Sequence, residues 1–292
     1  DLLDTANVAL AMTLEALEGC SNAFDPRIHT ARGQIGQEHI AGEIRRLTAG
    51  SNLIDAAGRV QDAYSLRCAP QVQGAVWETI QFVKSVLEKE LNAATDNPLL
   101  FEPGIALSGG NFHGEPIGFV MDYLGIALAE VGAISERRVF RLTDGKLNGG
   151  LPNMLVDNDK SAGLHSGLMM PQYTAASLVL ENQTLATPDS VHSLPTSGEQ
   201  EDHNANSMTA ARHAFQILTN VRKIIAIELF TAARAMDLRL RKSPERKMSE
   251  PIRFAFNAIR EVVPYHADDR CWGVEIDKVE KLIIENKVIQ SQ

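Results

Sequence analysis

Cysteine is scarce. Only Cys20, Cys68 and Cys271 occur in the 292 residues. They lie far apart and form no CxxC, which argues against a disulfide framework or a cysteine zinc site. A reducing compartment, the cytoplasm, is the expected location. Positive charge is also short: the net charge is -9, and no basic run is interleaved with aromatics. Nucleic acid and other phosphate polyanions are therefore not expected partners. No uninterrupted apolar run is long enough to span a bilayer, so no membrane association is expected. An initiator Met and a basic leader are missing too. Asp1 already falls within a helical-looking stretch, DLLDTANVALAMTLEALEG, and the chain reads as beginning in the middle of something. Strand signals are weak, and neither a fixed-period repeat nor a low-complexity tract is present.

What remains is a globular composition, 44% hydrophobic, in a length that suits one large or two small domains and a sizeable core. Helical period dominates. Val72, Val76, Ile80, Val83, Leu87 and Leu91 mark one long amphipathic helix with Pro70 near its first turn. Ile117, Met121, Leu124, Leu128, Val131, Ile134 and Val139 mark a second, running to about Leu142. A third is expected over Leu168–Ala186, with Pro171 near its start and Pro188 beyond its end. The fourth, Asn206–Arg241, is apolar on most of its circumference, which predicts burial on nearly all sides and suggests the core of an assembly. Breaks rich in Gly, Pro and Asn separate these segments: DNPLLFEPG, ALSGGN, DGKLNGGLPN and TPDSVHSLPTSGEQ. Two shorter helices follow Pro251. The fold class is all-α, an elongated bundle of long helices.

Several short stretches could carry chemistry, and each has a plainer reading. SGGNFHGEP (Ser108–Pro116) is a tight Gly-Gly turn into a helix and not a P-loop, since no Gly-Lys-Ser/Thr follows. His113 alone reads as a hydrogen-bonded structural residue. In GEQEDHNANSM, the acidic Glu199, Glu201 and Asp202 before a helix suit its macrodipole. Neither this stretch nor GQEHIAGE (Gly36–Glu43) has the HExxH spacing of a zinc site, and no metal is expected. SERRVFR (Ser135–Arg141) reads as a solvated face or a structural ion pair. QDAYSLRCAPQ places Gln61, Tyr64 and Arg67 three apart, on one face of a helical turn.

Taken in order, QDxYSLRCxPQ, DNPL, SGGNFHGEP, SERR and ENQTLATPDSVHSLPTSGEQEDH closely resemble the histidine and aromatic amino acid ammonia-lyases. The resemblance is dense over Asp55–Asp237 and looser at the ends. It implies an all-helical, ammonia-lyase/fumarase-like bundle, a homotetramer, and active sites built from three neighbouring subunits. It implies that Arg67 clamps the substrate carboxylate, as a bidentate guanidinium can. It places Tyr64 beside the electrophilic cofactor and Gln61 in the pocket wall. Phe112 matches an aromatic residue near cofactor and substrate. Glu201 matches a pocket carboxylate that handles a proton or the substrate side chain, with Gln200 its polar neighbour.

The cofactor implied is methylidene-imidazolone, formed from an internal Ala-Ser-Gly. That tripeptide is absent: ALSGG carries Leu107 between Ala106 and Ser108. The family's N-terminal tyrosine loop is absent too. The expectation is a C-terminal portion of a lyase over 1–292, with a core at about 55–241 and peripheral helices at 242–292. It would be inactive alone and would form a homo-oligomer or join a complementing N-terminal part. The substrate expected is a small amino acid, L-histidine giving urocanate. The longer QEDHNANSM, where histidine lyases read QEDHVSM, leaves phenylalanine or tyrosine lyase, or a 2,3-aminomutase, as the alternative. A non-catalytic scaffold subunit is the alternative of a different class.

Overall fold

The computed structural model describes residues 1–157 and 163–290. Apolar residues at helical spacing form α1 (Leu2–Ala16), α5 (Ala69–Glu90), α6 (Glu115–Thr143), α7 (Met169–Leu185) and α8 (Ser207–Lys242). Shorter helices are α2 (Pro26–Arg32), α3 (Ile35–Leu47), α4 (Tyr64–Arg67), α9 (Glu250–Val262) and α10 (Trp272–Ile284). The all-α class and the four long helices agree with the sequence to within a few residues at each end. Proline sits in the first turn of α2, α5, α6 and α9, where its missing N–H costs no intrahelical bond.

Three readings change. GQEHIAGE lies within amphipathic α3, where His39 packs against Trp77 with ring centroids 4.9 Å apart. DNPLLFEPGIAL contains a small antiparallel hairpin, β1 (Leu99–Phe101) and β2 (Ile105–Leu107), with Leu99 opposite Leu107. Finally, α6 is long and apolar enough to cross a membrane by length and composition, where the sequence reading expected no apolar run of that kind. Here it packs against α5, α7 and α8.

The centre of the bundle is α8, flanked by α1, α6, α7 and α10. Every residue from Ile224 to Met236 is buried. The all-round apolarity of this segment is therefore satisfied inside one chain and does not call for an assembly core. The exposed apolar residues of α8 lie nearer its N-terminus, at Met208 and Phe215. The SERR stretch does contain a structural ion pair. Arg138 and Glu228 are both fully buried, and Arg138 Nε donates to Glu228 Oε1 at 2.5 Å.

Helices α3 and α5 cross unusually closely. A Cβ on Gly36 would meet the Gly74 carbonyl oxygen at 2.2 Å, and one on Gly74 would meet the Gln37 nitrogen at 2.5 Å. Glycine is required on both sides of this crossing for the backbones to approach so nearly.

Candidate active site

Tyr64, Ser65, Leu66 and Arg67 form the single turn α4, pinned by buried Leu66. The chain then turns at Cys68 into α5. Gln61 precedes the turn in irregular backbone, so it does not share a helical face with the other two as the spacing predicts. Tyr64 and Arg67 do converge: the guanidinium lies over the Tyr64 ring, 4.6 Å from its centroid, a cation–π contact. Tyr64 is 70% exposed.

Arg67 lines a cavity of about 260 Å³ together with Gln61, Asp62, Cys20, Cys68 and Gln71. Its Nε is buried and has no hydrogen-bond partner among the described residues, and the same holds for Gln71 Oε1. Two residues that line the same small cavity thus each hold a shielded polar atom, a donor and an acceptor, left unsatisfied, which is costly. Asp62 does not quench the charge. It takes the Cys20 N–H at 2.6 Å and Arg59 Nη2 at 2.9 Å. Burial, with the nearby Asp62 charge, pushes the Cys20 thiol above its usual value, so it is a poor nucleophile. Gln71 was not singled out from the sequence; its position four residues after Arg67, one turn on, is the signal that could have found it.

A second cavity, about 760 Å³, is lined by Phe112, His113, Leu194, Gln200, Glu201 and His203, among others. Phe112 is 55% exposed. Glu201 is held by a short bridge to Thr196, which donates from its backbone N–H to the Glu201 carbonyl at 2.9 Å and from Oγ1 to Oε2 at 2.9 Å. The acidic run does not cap α8. The first turn of α8 holds no acidic residue, and its N-cap is Asn206, in left-handed conformation.

The longer NANS segment braces this loop. The Asn204 N–H donates to Ser193 Oγ at 2.7 Å and its Nδ2 donates to the Leu194 carbonyl at 2.5 Å. Asn206 Nδ2 donates to the His192 carbonyl. Two glycines at the start of α6, its N-cap Gly114 and Gly118 in its first turn, admit the loop. A Cβ on Gly114 would meet Ser207 Oγ at 2.6 Å, and one on Gly118 would meet the Ala205 carbonyl oxygen at 2.9 Å. Asp122, also unremarked in the sequence, accepts the N–H groups of Asp189 and Ser190 at 3.1 and 2.9 Å and anchors the start of the loop.

The two cavities lie at opposite ends of α6. Arg138 Nη1 reaches the Ser65 carbonyl of α4 at 3.4 Å, whereas Phe112 and His113 directly precede the first turn of α6. Arg138 is roughly 23 residues along that helix, so the two groups stand roughly 35 Å apart at about 1.5 Å per residue. Gln61, Tyr64 and Arg67 are together at one end. Phe112, Gln200 and Glu201 are together at the other. The chain does not bring the two sets into one pocket.

The sequence profile of the aromatic amino acid lyase family matches residues 1–261. Histidine ammonia-lyase 1 of Fusobacterium nucleatum is 44% identical over 288 residues, 98% of this chain and 55% of that protein. Histidine ammonia-lyase of Geobacillus kaustophilus is 49% identical over 271 residues, 92% of this chain and 52% of that protein. Among solved structures, histidine ammonia-lyase from Trypanosoma cruzi superposes with a TM-score of 0.89 at 41% identity, over 98% of this chain and 53% of the other. Tyrosine aminomutase from Streptomyces globisporus gives 0.91 at 35% identity, over 98% and 58%. The chain spans about half the length of these relatives.

Proposed function

The chain belongs to the aromatic amino acid lyase family, and from that premise we propose that it is the part of an ammonia-lyase that grips the substrate, with L-histidine as substrate and urocanate and ammonia as products. The observation that carries this reading is the buried, unpartnered Nε of Arg67 in a cavity sized for a small molecule. A carboxylate entering there takes that N–H, and a guanidinium fixes its orientation as well as its charge. Gln71 Oε1, orphaned in the same cavity, accepts from the substrate's ammonium group. Gln61 closes the wall. Tyr64 lies beside the Arg67 guanidinium with its ring exposed.

The reaction breaks the Cα–N bond and removes a weakly acidic β-proton, and ordinary acid–base groups supply only part of that barrier. Methylidene-imidazolone, which the family implies, supplies an electron sink for that step when present. The exposed rings of Tyr64 and Phe112 fit a site completed by such a flat group and would flank it. Its Ala-Ser-Gly precursor does not occur in these residues, so the chain alone is expected to release no ammonia.

Glu201 accepts a proton, or the imidazole N–H of the substrate. Because Arg67 and Glu201 stand at opposite ends of α6, one pocket takes them from different copies, which favours a homo-oligomer, the tetramer implied by the resemblance. The longer loop after QEDH favours a second reading, phenylalanine or tyrosine as substrate.

The test pairs this chain with an Ala-Ser-Gly-bearing N-terminal part and offers L-histidine and L-phenylalanine separately. Urocanate from histidine is expected. Cinnamate alone would replace the first reading by the second. No product from either, with the electrophile's absorbance intact, would leave the non-catalytic scaffold.

A further inference from the structure

His113, Glu115 and His203 each bring one donor atom to within 4.8 Å of the other two. They come from stretches 90 residues apart in the chain, and neither stretch has a metal-binding spacing of its own. The close approach of Gly114 to Ser207 joins them.

Three observations bear on what this cluster can hold. Nε2 of His113 faces the His203 carbonyl oxygen at 3.0 Å. A carbonyl only accepts, so Nε2 carries the proton and the lone pair sits on Nδ1. The Glu115 backbone N–H points at Nδ1 from 3.3 Å, which agrees with that tautomer and is a long, weak bond. A ring N–H given to a backbone carbonyl is the arrangement that sets the opposite nitrogen of a histidine for metal binding. Next, the exposed His203 ring lies nearly parallel to that of His113, 5.8 Å away at 7°. Finally, Glu115 Oε2 is shielded from solvent with no hydrogen-bond partner among the described residues. A shielded carboxylate oxygen without a donor calls for a cation or a proton.

We propose that His113, Glu115 and His203 form a binding site for one borderline divalent cation, of the Zn²⁺, Co²⁺ or Ni²⁺ type. Two imidazoles and a carboxylate prefer these ions to Mg²⁺ or Ca²⁺ and leave coordination positions open to water. Metal–ligand bonds of about 2.0–2.2 Å set donors roughly 3.4 Å apart in a tetrahedron, so donors as far as 4.8 Å apart must close by up to roughly 1.4 Å when the ion binds. The ion would tie the loop carrying Glu201 to the N-terminus of α6. This site does not depend on the proposed lyase function, and its test needs no activity.

The experiment titrates Co²⁺ into the metal-free chain and follows its visible absorbance, with Zn²⁺ as competitor. One saturable site per chain is expected, displaced by Zn²⁺. His203→Ala and Glu115→Gln should each weaken it at least about tenfold, while His39→Ala, a histidine away from the cluster, leaves it unchanged. Far-ultraviolet circular dichroism verifies that the variants fold. Absence of saturable binding, or an affinity unchanged within about threefold in both cluster variants, would overturn the proposal.

Discussion

Removing the charge of Glu228 should be the most damaging single change in the core. The carboxylate is fully buried and accepts four bonds. Oε1 takes Arg138 Nε at 2.5 Å and Thr13 Oγ1 at 2.9 Å, and Oε2 takes Arg138 Nη2 at 2.8 Å and Ser135 Oγ at 2.6 Å. Glu228→Gln keeps the shape but leaves a guanidinium with no exposed surface and no counter-charge. Its one other hydrogen bond among the described residues is to the Ser65 carbonyl at 3.4 Å. Stranding one member of a buried pair costs about 3–5 kcal/mol. At about 2–4 °C per kcal/mol for a chain of this size class, Tm should fall by roughly 6–20 °C. Thermal and urea unfolding of Glu228→Gln, Arg138→Met and the double variant Glu228→Leu/Arg138→Met measure this. The double variant should be more stable than either single one, because no lone charge remains and two apolar side chains fill the space. A cost under about 1 kcal/mol for Glu228→Gln, or strictly additive costs, would refute the reasoning.

In the complemented enzyme, Arg67→Lys should lower kcat/KM by roughly one to three orders of magnitude and Arg67→Ala by more, with the unfolding transition unmoved, since Arg67 makes no hydrogen bond through its buried Nε. Gly74→Ala should destabilise the chain by about 1–3 kcal/mol or more, read by urea unfolding, because its Cβ would stand 2.5 Å from the Gln37 nitrogen. Glu15 should make stability fall as pH rises. Burial pushes its carboxyl from 4.5 up to about 7, against the opposing Ser249 hydrogen bonds, so the unfolded chain sheds the proton first. The stabilising protonated form is fully present below about pH 4.5 and lost through pH 7, at a total of about 3 kcal/mol. Glu15→Gln should flatten that slope in unfolding measured between pH 5 and 8.

Much of the fold was legible because the long helices carry their apolar residues at a period that survives without tertiary context. The stripe from Val72 to Leu91 and the run from Ile117 to Val139 mark α5 and α6. Of the helix Asn206–Arg241, expected to be buried on nearly all sides and to form the core of an assembly, Ile224–Met236 is buried within the chain while Met208 and Phe215 are exposed. Composition reports how much of a helix is covered and not by what, and here the cover is α1, α6, α7 and α10. The hairpin was not legible, because two strands of three residues leave no alternation to count. The loop at 196–206 was misread as a helix cap. Its path depends on left-handed backbone at Ser197, Gly198, Glu199 and Asn206, and for two of these, Ser197 and Glu199, that conformation is uncommon. The cluster of His113, Glu115 and His203, and the pairing of Arg138 with Glu228, rest on contacts about 90 residues apart. A single sequence holds no signal for those.

The separation of the candidate residues leads to a test of how the site is shared. Tyr64 and Arg67 are fixed to the C-terminal part of α6 through Ser65 and Arg138. Phe112 and Glu201 are fixed to its N-terminal end through Gly114 and Gly118. A rigid helix of 29 residues stands between them, so no loop movement closes the gap. If a copy related by a two-fold axis across α6 presents its opposite end, the proposed clamp of one chain stands against the proposed pocket carboxylate of the other. Two variants that are each inactive should then rescue one another. Chains carrying Arg67→Ala still supply Glu201, and chains carrying Glu201→Gln still supply Arg67. Co-assembled in equal amounts with the complementing part, they should regain roughly a quarter of the native activity, the share of sites that draw each residue from the intact source under random mixing. Activity no higher than the two separate variants, in a mixture shown by native mass spectrometry to contain mixed oligomers, would mean that Arg67 and Glu201 do not serve one shared pocket.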